Sequence, residues 1–291
     1  MSKKTDYSGY VYIFPILILI SIFYIIPIFM SFFYSFQKFN VIQPPEFLGL
    51  FNYKRLGSDP VFLASLKNTL VYTAIVVPVQ TVLSMLLAVL ITSRKRNIWT
   101  NFVRNSLFVP VITSMILVGI IWRVVLNPNM GLLNHALSSI GITKINWLGS
   151  NATAMISVCM AAVWKNVGYF MVLYIAAIMD IPKSYYEAAM VDGASATQKF
   201  FNITLPMLKP ATYFVVVLGT IWSFQVFDLV YTLTGGGPGV ATVTLVMSIY
   251  NSAFREYNMG YAAAISYVLF AISVIISVIQ TKCLKDNESI Y

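Results

Sequence analysis

Residues 153–206 read TAMISVCMAAVWKNVGYFMVLYIAAIMDIPKSYYEAAMVDGASATQKFFNITLP. The first half, 153–179, is apolar apart from one charge, Lys165. It exceeds the about 20 residues that an α-helix needs to cross a bilayer. The second half changes character. Ser184-x-x-Glu187 has the pattern of a capping box, opening a helix just after Pro182. Ala188 and Ala189 are strong helix formers, and Gly193 suits the left-handed turn that ends such a helix. Ser195-x-x-Gln198 is a second capping box, and Pro206 marks the passage into the next apolar run. The stretch therefore predicts a spanning helix followed by two short capped helices outside the bilayer. Such an elbow has a fixed shape that can transmit force, and its small alanines allow close approach by another protein. A plain pair of interfacial helices resting on lipid headgroups fits the same residues. On the residues alone both readings stand.

The rest of the chain agrees with a lipid solvent. Of 291 residues, 58% are hydrophobic and 10% charged, whereas a soluble domain carries about 25% charged residues and would otherwise lack a surface. The net charge of +9 does not point to nucleic acid, because a basic binding face needs polar surface that this chain lacks. Those charges belong at membrane ends. Cys159 and Cys283 are far apart in sequence, and with His135 as the sole histidine they do not suggest a metal centre. The apolar run after Lys3 and Lys4 shows no small-residue cleavage site, so it is expected to be a retained anchor rather than a signal peptide.

Charge-poor runs place six spans near 11–36, 68–92, 104–126, 153–179, 208–231 and 260–282. The expected fold is an all-α membrane protein, with 1–291 as a single transmembrane domain. With the N-terminus inside, the inner flanks hold Lys3, Lys4, Arg94, Lys95, Arg96, Arg104, Lys183, Lys199, Lys209, Lys282 and Lys285. The outer flanks hold Lys38, Lys54, Arg55, Lys67, Arg123, Lys144 and Arg255. The compact cluster Arg94–Arg96 beside a span carries most weight in the positive-inside rule. Both termini and the elbow at 183–206 are then cytoplasmic.

From Glu187 to Pro206 the elbow follows a fixed pattern: E-A-A, three residues, G, nine residues, I-x-L-P. This resembles the EAA loop of the permease subunits of bacterial binding-protein-dependent ABC importers. The resemblance implies the ABC importer permease fold, with the loop forming coupling helices that dock on an ATP-hydrolysing subunit. By that resemblance Glu187 pairs with a basic group of the ATPase, Ala188 and Ala189 pack in its groove, and Gly193 makes the turn. Asp192, Ile203, Leu205 and Pro206 belong to the same ATPase-coupling set. The run Tyr231-Thr-Leu-Thr-Gly235-Gly236-Gly237-Pro238 and Trp164-Lys165-Asn166 ahead of Gly168-Tyr169 are similar to the carbohydrate-uptake branch, which handles multiple sugars, raffinose-type oligosaccharides and glycerol 3-phosphate.

The resemblance implies a subunit of an ATP-driven sugar importer in the bacterial cytoplasmic membrane, working by alternating access. Its implied partners are a sister permease, two ATP-binding subunits and an extracytoplasmic solute-binding protein, with lipid around the spans. The chain itself is expected to be no enzyme and to hold no cofactor: no G-x-x-x-x-G-K-[ST] occurs in it, and ATP and Mg belong to partners. The alternatives are an ABC importer for glycerol 3-phosphate or another solute, a transporter driven by an ion gradient, and a membrane assembly or scaffold protein that transports nothing.

Two further sets stand out. Lys165 lies about 15 Å from the outer end of its span at 1.5 Å per residue, either snorkelling between helices or lining a solute cavity. Trp222, Gln225, Asp228 and Tyr231 recur every three residues, a spacing that puts neighbours on one helix face. They are either interfacial aromatics with a helix-end charge or residues of a sugar pathway, since sugars offer C–H faces to aromatics and hydroxyls to amides and carboxylates. Gly235, Gly236, Gly237 and Pro238 are either a flexible outer turn or a contact for the binding protein.

Overall fold

In a bilayer every backbone N–H and C=O must find a partner within the protein, so apolar runs of this length fold as helices. The computed structural model describes residues 8–93 and 97–284. Lys3, Lys4, the Arg94–Arg96 cluster and Lys285, on which the expected orientation leans, lie outside the described residues.

α1 (Ser8–Ile20) passes through a π-helical turn into α2 (Ile26–Ser35). A small hairpin, β1 (Gln37–Lys38) with β2 (Glu46–Phe47), precedes α3 (Phe51–Leu56) and the long α4 (Pro60–Thr92). Then come α5 (Ile98–Ile112), α6 (Met115–Val125), α7 (Leu132–Ser139) and α8 (Ala154–Met179). The elbow contains α9 (Lys183–Val191), α10 (Ala196–Lys199), a π turn at Phe200–Thr204 and α11 (Leu205–Met207). The chain closes with α12 (Lys209–Phe224), α13 (Asp228–Leu233), α14 (Leu245–Tyr250), a π turn at Asn251–Arg255 and α15 (Met259–Leu284).

Four helical runs are long and apolar enough to cross a membrane unbroken: Tyr12–Ser35, Pro60–Thr92, Ala154–Met179 and Met259–Cys283. They answer to the expected spans one, two, four and six, although α4 begins at Pro60 rather than near 68. The other two expected spans are not single rods. The segment 104–126 is two helices, α5 and α6, meeting at 109°. Pro110 lacks the N–H that would continue α5's ladder. Ser114 accepts a hydrogen bond from Leu117 N–H as the N-cap of α6. A helix stop thus stands beside a helix start. The segment 208–231 is also interrupted: α12 ends at Phe224 and α13 starts at Asp228. A further bend of 62° separates Ala196–Met207 from α12.

The described residues form two compact units. One combines the chain up to residue 59 with 248–268. Its hairpin pairs Gln37 with Phe47 and Lys38 with Glu46. Asn52 donates from Nδ2 to the carbonyls of Ser35 and Gln37. Tyr261 donates to Asp59 Oδ2 at 2.7 Å while Arg55 lies over its ring.

The other unit combines 60–247 with the rest of α15. α8 is its centre, with 61% of its apolar window buried. One core cluster joins Tyr72 and Val76 of α4 to Val158, Cys159, Ala161 and Ala162 of α8 and to Leu229, Val230 and Leu233 of α13. A second joins Ala88 to Phe170, Met171, Tyr174, Leu208 and Val215. Lys165 and Asn166 fall between the α8 members of these clusters. Small residues let the backbones approach, as membrane helix contacts require: a Cβ at Gly168 would collide with the Leu107 carbonyl oxygen of α5.

Candidate functional site

A cavity of about 290 Å³ opens beside the break between α12 and α13. Its wall is Tyr72 from α4, Met115 from α6, Lys165 and Asn166 from α8, and the stretch 222–229, lined by Trp222, Ser223, Gln225, Val226, Phe227, Asp228 and Leu229. The structure thus brings Lys165, Trp222, Gln225 and Asp228 together. It does not do so by helical spacing, because the helix stops after Phe224 and restarts at Asp228. Tyr231 is left out of the lining; its ring packs on Phe227 at 5.3 Å. Asp228 is a helix-end charge, as one of the two readings has it. It opens α13 at the wall of the cavity.

The break survives because its backbone is supported. Gln225 N–H donates to Trp222 O, tightening the last turn of α12. The freed carbonyl of Val226 accepts from Thr244 Oγ1 at 2.9 Å, inside the protein. Next to it Leu245 N–H donates to Thr69 Oγ1 of α4. Irregular backbone in an apolar setting needs such partners, and here threonine hydroxyls of the protein supply them.

The lining suits a hydroxyl-rich ring. Trp222 supplies an aromatic face, held at 5.1 Å by Tyr169 and 5.6 Å by Phe170. Asn166 and Gln225 supply amides, and Lys165 and Asp228 supply opposite charges. No hydrogen bond or ion pair ties Lys165 to Asp228, or Lys165 to any other described residue. A larger groove of about 690 Å³, lined by Val79, Leu107, Trp122, Met160, Trp164 and neighbours, is almost wholly apolar. It offers little to hydrogen-bond a polar solute, so the smaller cavity is the better chemical candidate. Among the described residues no group of three or more His, Cys, Asp or Glu is placed to hold a metal.

The elbow is built largely as its residues predict. Gly193 has φ +74, the left-handed conformation that glycine adopts without a Cβ penalty. Its N–H donates to Met190 O, and Ala194 N–H donates to Ala189 O at 2.8 Å. Those two bonds are a Schellman motif ending α9. Ser195 and Gln198 form the reciprocal capping box. The other expected box is absent. Pro182, with its fixed φ, occupies the N-cap position and starts α9 at Lys183, leaving Ser184 inside the helix. Pro206 stands in the first turn of α11, after the π turn at Phe200–Thr204, and the bend into α12 follows at Leu208, so the passage into the next apolar run lies beside it as expected. Tyr186 and Thr204 share a hydroxyl hydrogen bond of 2.9 Å that ties the two arms. Ile181 and Leu208, both buried, anchor the elbow's ends. Glu187, Ala188, Asp192, Gly193 and Pro206 are exposed, whereas Ala189, Ile203 and Leu205 are half-buried.

The glycine stretch is a turn closed by its own hydrogen bonds. Thr234 and Thr242 share a hydroxyl bond of 2.7 Å, Thr242 N–H donates to Gly236 O, and Thr242 Oγ1 donates to Gly237 O. Gly236 has φ +89, a conformation that L side chains rarely adopt, and a Cβ there would press on the side-chain ends of Val243 and Met247. Gly235 is exposed, Gly237 and Pro238 half-buried, and the Gly237–Pro238 peptide is cis. Ser223, Tyr72 and the supporting Thr244 escape a reading by spacing, because their partners are distant in sequence. Asn166 was visible as a polar residue in an apolar span, next to Lys165.

Residues 8–282 match the protein family described as "binding-protein-dependent transport system inner membrane component". Over 291 residues, covering 99% of each chain, the sequence is 39% identical to the probable ABC transporter permease protein YurN of Bacillus subtilis (strain 168). It is 34% identical to the lactose transport system permease protein LacF of Rhizobium radiobacter, over 99% of this chain and 97% of that one. The fold matches a crystal structure of a bacterial ABC transporter involved in the import of the acidic polysaccharide alginate, with a TM-score of 0.86 at 23% identity, covering 96% of both chains.

Proposed function

This chain belongs to the family of binding-protein-dependent transport system inner membrane components, and from that premise we propose that it is a transmembrane subunit of an ATP-driven sugar importer whose solute passes through the cavity at the α12–α13 break. It is a multi-pass membrane protein. One observation carries the solute reading: an aromatic face, two amides and two opposite charges, with no hydrogen bond or ion pair between them among the described residues, meet where a helical run is interrupted. Interrupted helices are where transporters place polar solutes, because backbone and side chains there remain available. A charge at such depth is costly unless it faces water, protein or solute, so Lys165 and Asp228 fit a pathway better than a packed core.

In this reading the elbow lies in the cytoplasm with both termini and grips one of two ATP-binding subunits, which hold ATP and Mg. Glu187 and Ala188 are exposed as that contact requires. A sister permease completes the pathway. The extracytoplasmic binding protein delivers solute near Gly235–Pro238, where a turn closed by its own hydrogen bonds offers a defined shape. The sugar is supported by the cavity chemistry and by the lactose permease among the relatives.

The test is uptake of labelled lactose, raffinose and glycerol 3-phosphate by the assembled complex in proteoliposomes, with and without ATP. ATP-dependent uptake is expected for the wild type. Lys165→Met and Asp228→Asn are each expected to lower it about tenfold or more, as loss of a charge-assisted hydrogen bond does, with thermal midpoints no lower than wild type. Uptake that ignores ATP and follows a proton gradient, or unimpaired transport by both variants, would contradict the proposal.

A further inference from the structure

Gln80 is fully buried in the second half of α4, in a segment otherwise rich in Val, Leu and Ile. Its Oε1 accepts from Asn166 Nδ2 at 3.2 Å. Its Nε2 is sealed from solvent and has no hydrogen-bond partner among the described residues. Gly219 of α12 lies so close that a Cβ there would collide with Nε2. Three helices therefore converge on one amide that is only half satisfied.

Stability does not account for that residue. A buried amide donor left without a partner costs about 1–3 kcal/mol, and an apolar side chain of similar size in the same space avoids the penalty. What Gln80 does accomplish is to fix Asn166. Asn166 is itself 6% exposed and lines the cavity. One end of its amide is engaged by Gln80, while the other has no hydrogen-bond partner among the described residues, on a residue that lines the cavity. Exchanging oxygen and nitrogen in both amides keeps one bond between them and one free polar atom of Asn166, so the arrangement does not depend on that assignment.

We propose that Asn166 is a hydrogen-bonding contact for the solute and that Gln80 is its positioning residue, holding the amide at one angle toward a sugar hydroxyl. This rests on the cavity being the solute pathway. An amide that can rotate freely must be ordered at each binding event, whereas one already held presents its polar atom at once. A hydroxyl both donates and accepts, so a single fixed amide atom suffices to select it over an apolar group.

The experiment is equilibrium binding of tritiated lactose, raffinose and glycerol 3-phosphate to the purified transporter assembly in detergent, without binding protein, alongside thermal midpoints. Gln80→Leu is expected to weaken binding of the preferred compound about three- to tenfold, the worth of one neutral hydrogen bond, with a midpoint equal to or above wild type. Asn166→Ala is expected to weaken it at least as much. Gln80→Met serves if Gln80→Leu fails to assemble. Wild-type affinity in a Gln80 variant, or an affinity loss that tracks a lowered midpoint, overturns the inference. If Lys165→Met and Asp228→Asn weaken binding while the Gln80 variants do not, only this inference falls. If the wild type binds none of the three, or the two charge variants bind as wild type, the cavity reading falls and takes it along.

Discussion

Replacing Glu187 with lysine is expected to abolish ATP-driven uptake while leaving the chain folded and inserted. Glu187 sits on α9, a helix with no buried residue, so the change meets no packed neighbour in this chain. Surface substitutions of that kind move stability by about 0.5 kcal/mol or less. The functional cost is much larger if the carboxylate pairs with a basic group on an ATP-binding subunit. Disrupting a hydrogen-bonded charge pair buried at an interface costs about 2–5 kcal/mol, hence roughly 30-fold or more in assembly, and reversing the sign adds repulsion. The measurement is paired: uptake together with ATP hydrolysis in proteoliposomes, and thermal midpoint in detergent. Loss of the first pair with an unchanged midpoint is the expected pattern. Normal uptake by the variant would remove Glu187 from the coupling contact.

Gly168→Val is expected to act in the opposite way, destroying the fold before function can be measured. Gly168 is buried on α8, and the nearest obstacle to a Cβ is the backbone carbonyl of Leu107 on α5, with Val111 close behind. A flexible side chain can step aside; a helix backbone cannot without moving the whole helix. Overpacking a tight core costs about 1–3 kcal/mol for side-chain clashes, and a backbone clash belongs at or above the top of that range. The expected result is a monodisperse yield far below wild type and, for any protein recovered, a thermal midpoint clearly lowered. An unchanged midpoint would mean that α5 and α8 do not pack at this distance.

These two residues also mark what could be read from the chain and what could not. The unbroken spans around 11–36, 153–179 and 260–282 were legible because long apolar runs leave the backbone no alternative in lipid. The elbow's glycine and its second capping box were legible because both are local chemistry, decided within a few residues. The Ser184 box misled because Pro182 starts the helix earlier. The break at Thr113–Ser114 had a visible signal in Pro110 and a capping serine, masked by the apolar residues on both sides. The break at Gln225–Phe227 has no proline or glycine. It is held by Thr244, eighteen positions along the chain, so local pattern gave no sign of it. That is why Lys165, Trp222, Gln225 and Asp228 meet around one cavity although the helical spacing invoked to group three of them does not exist. Nothing local marks Gln80 for a similar reason: its neighbours Asn166 and Gly219 are distant in sequence.

The most direct test of the account is photo-crosslinking from the elbow. In a chain carrying Cys159→Ala and Cys283→Ser, Ala188→Cys is labelled with a short benzophenone maleimide and the complex is irradiated in membrane vesicles. Ala188 is exposed on α9, so the label is accessible. The expected result is a covalent product between this chain and the ATP-binding subunit, changed in yield by nucleotide. Products with lipid or with the extracytoplasmic binding protein alone, and none with the ATP-binding subunit, would contradict it.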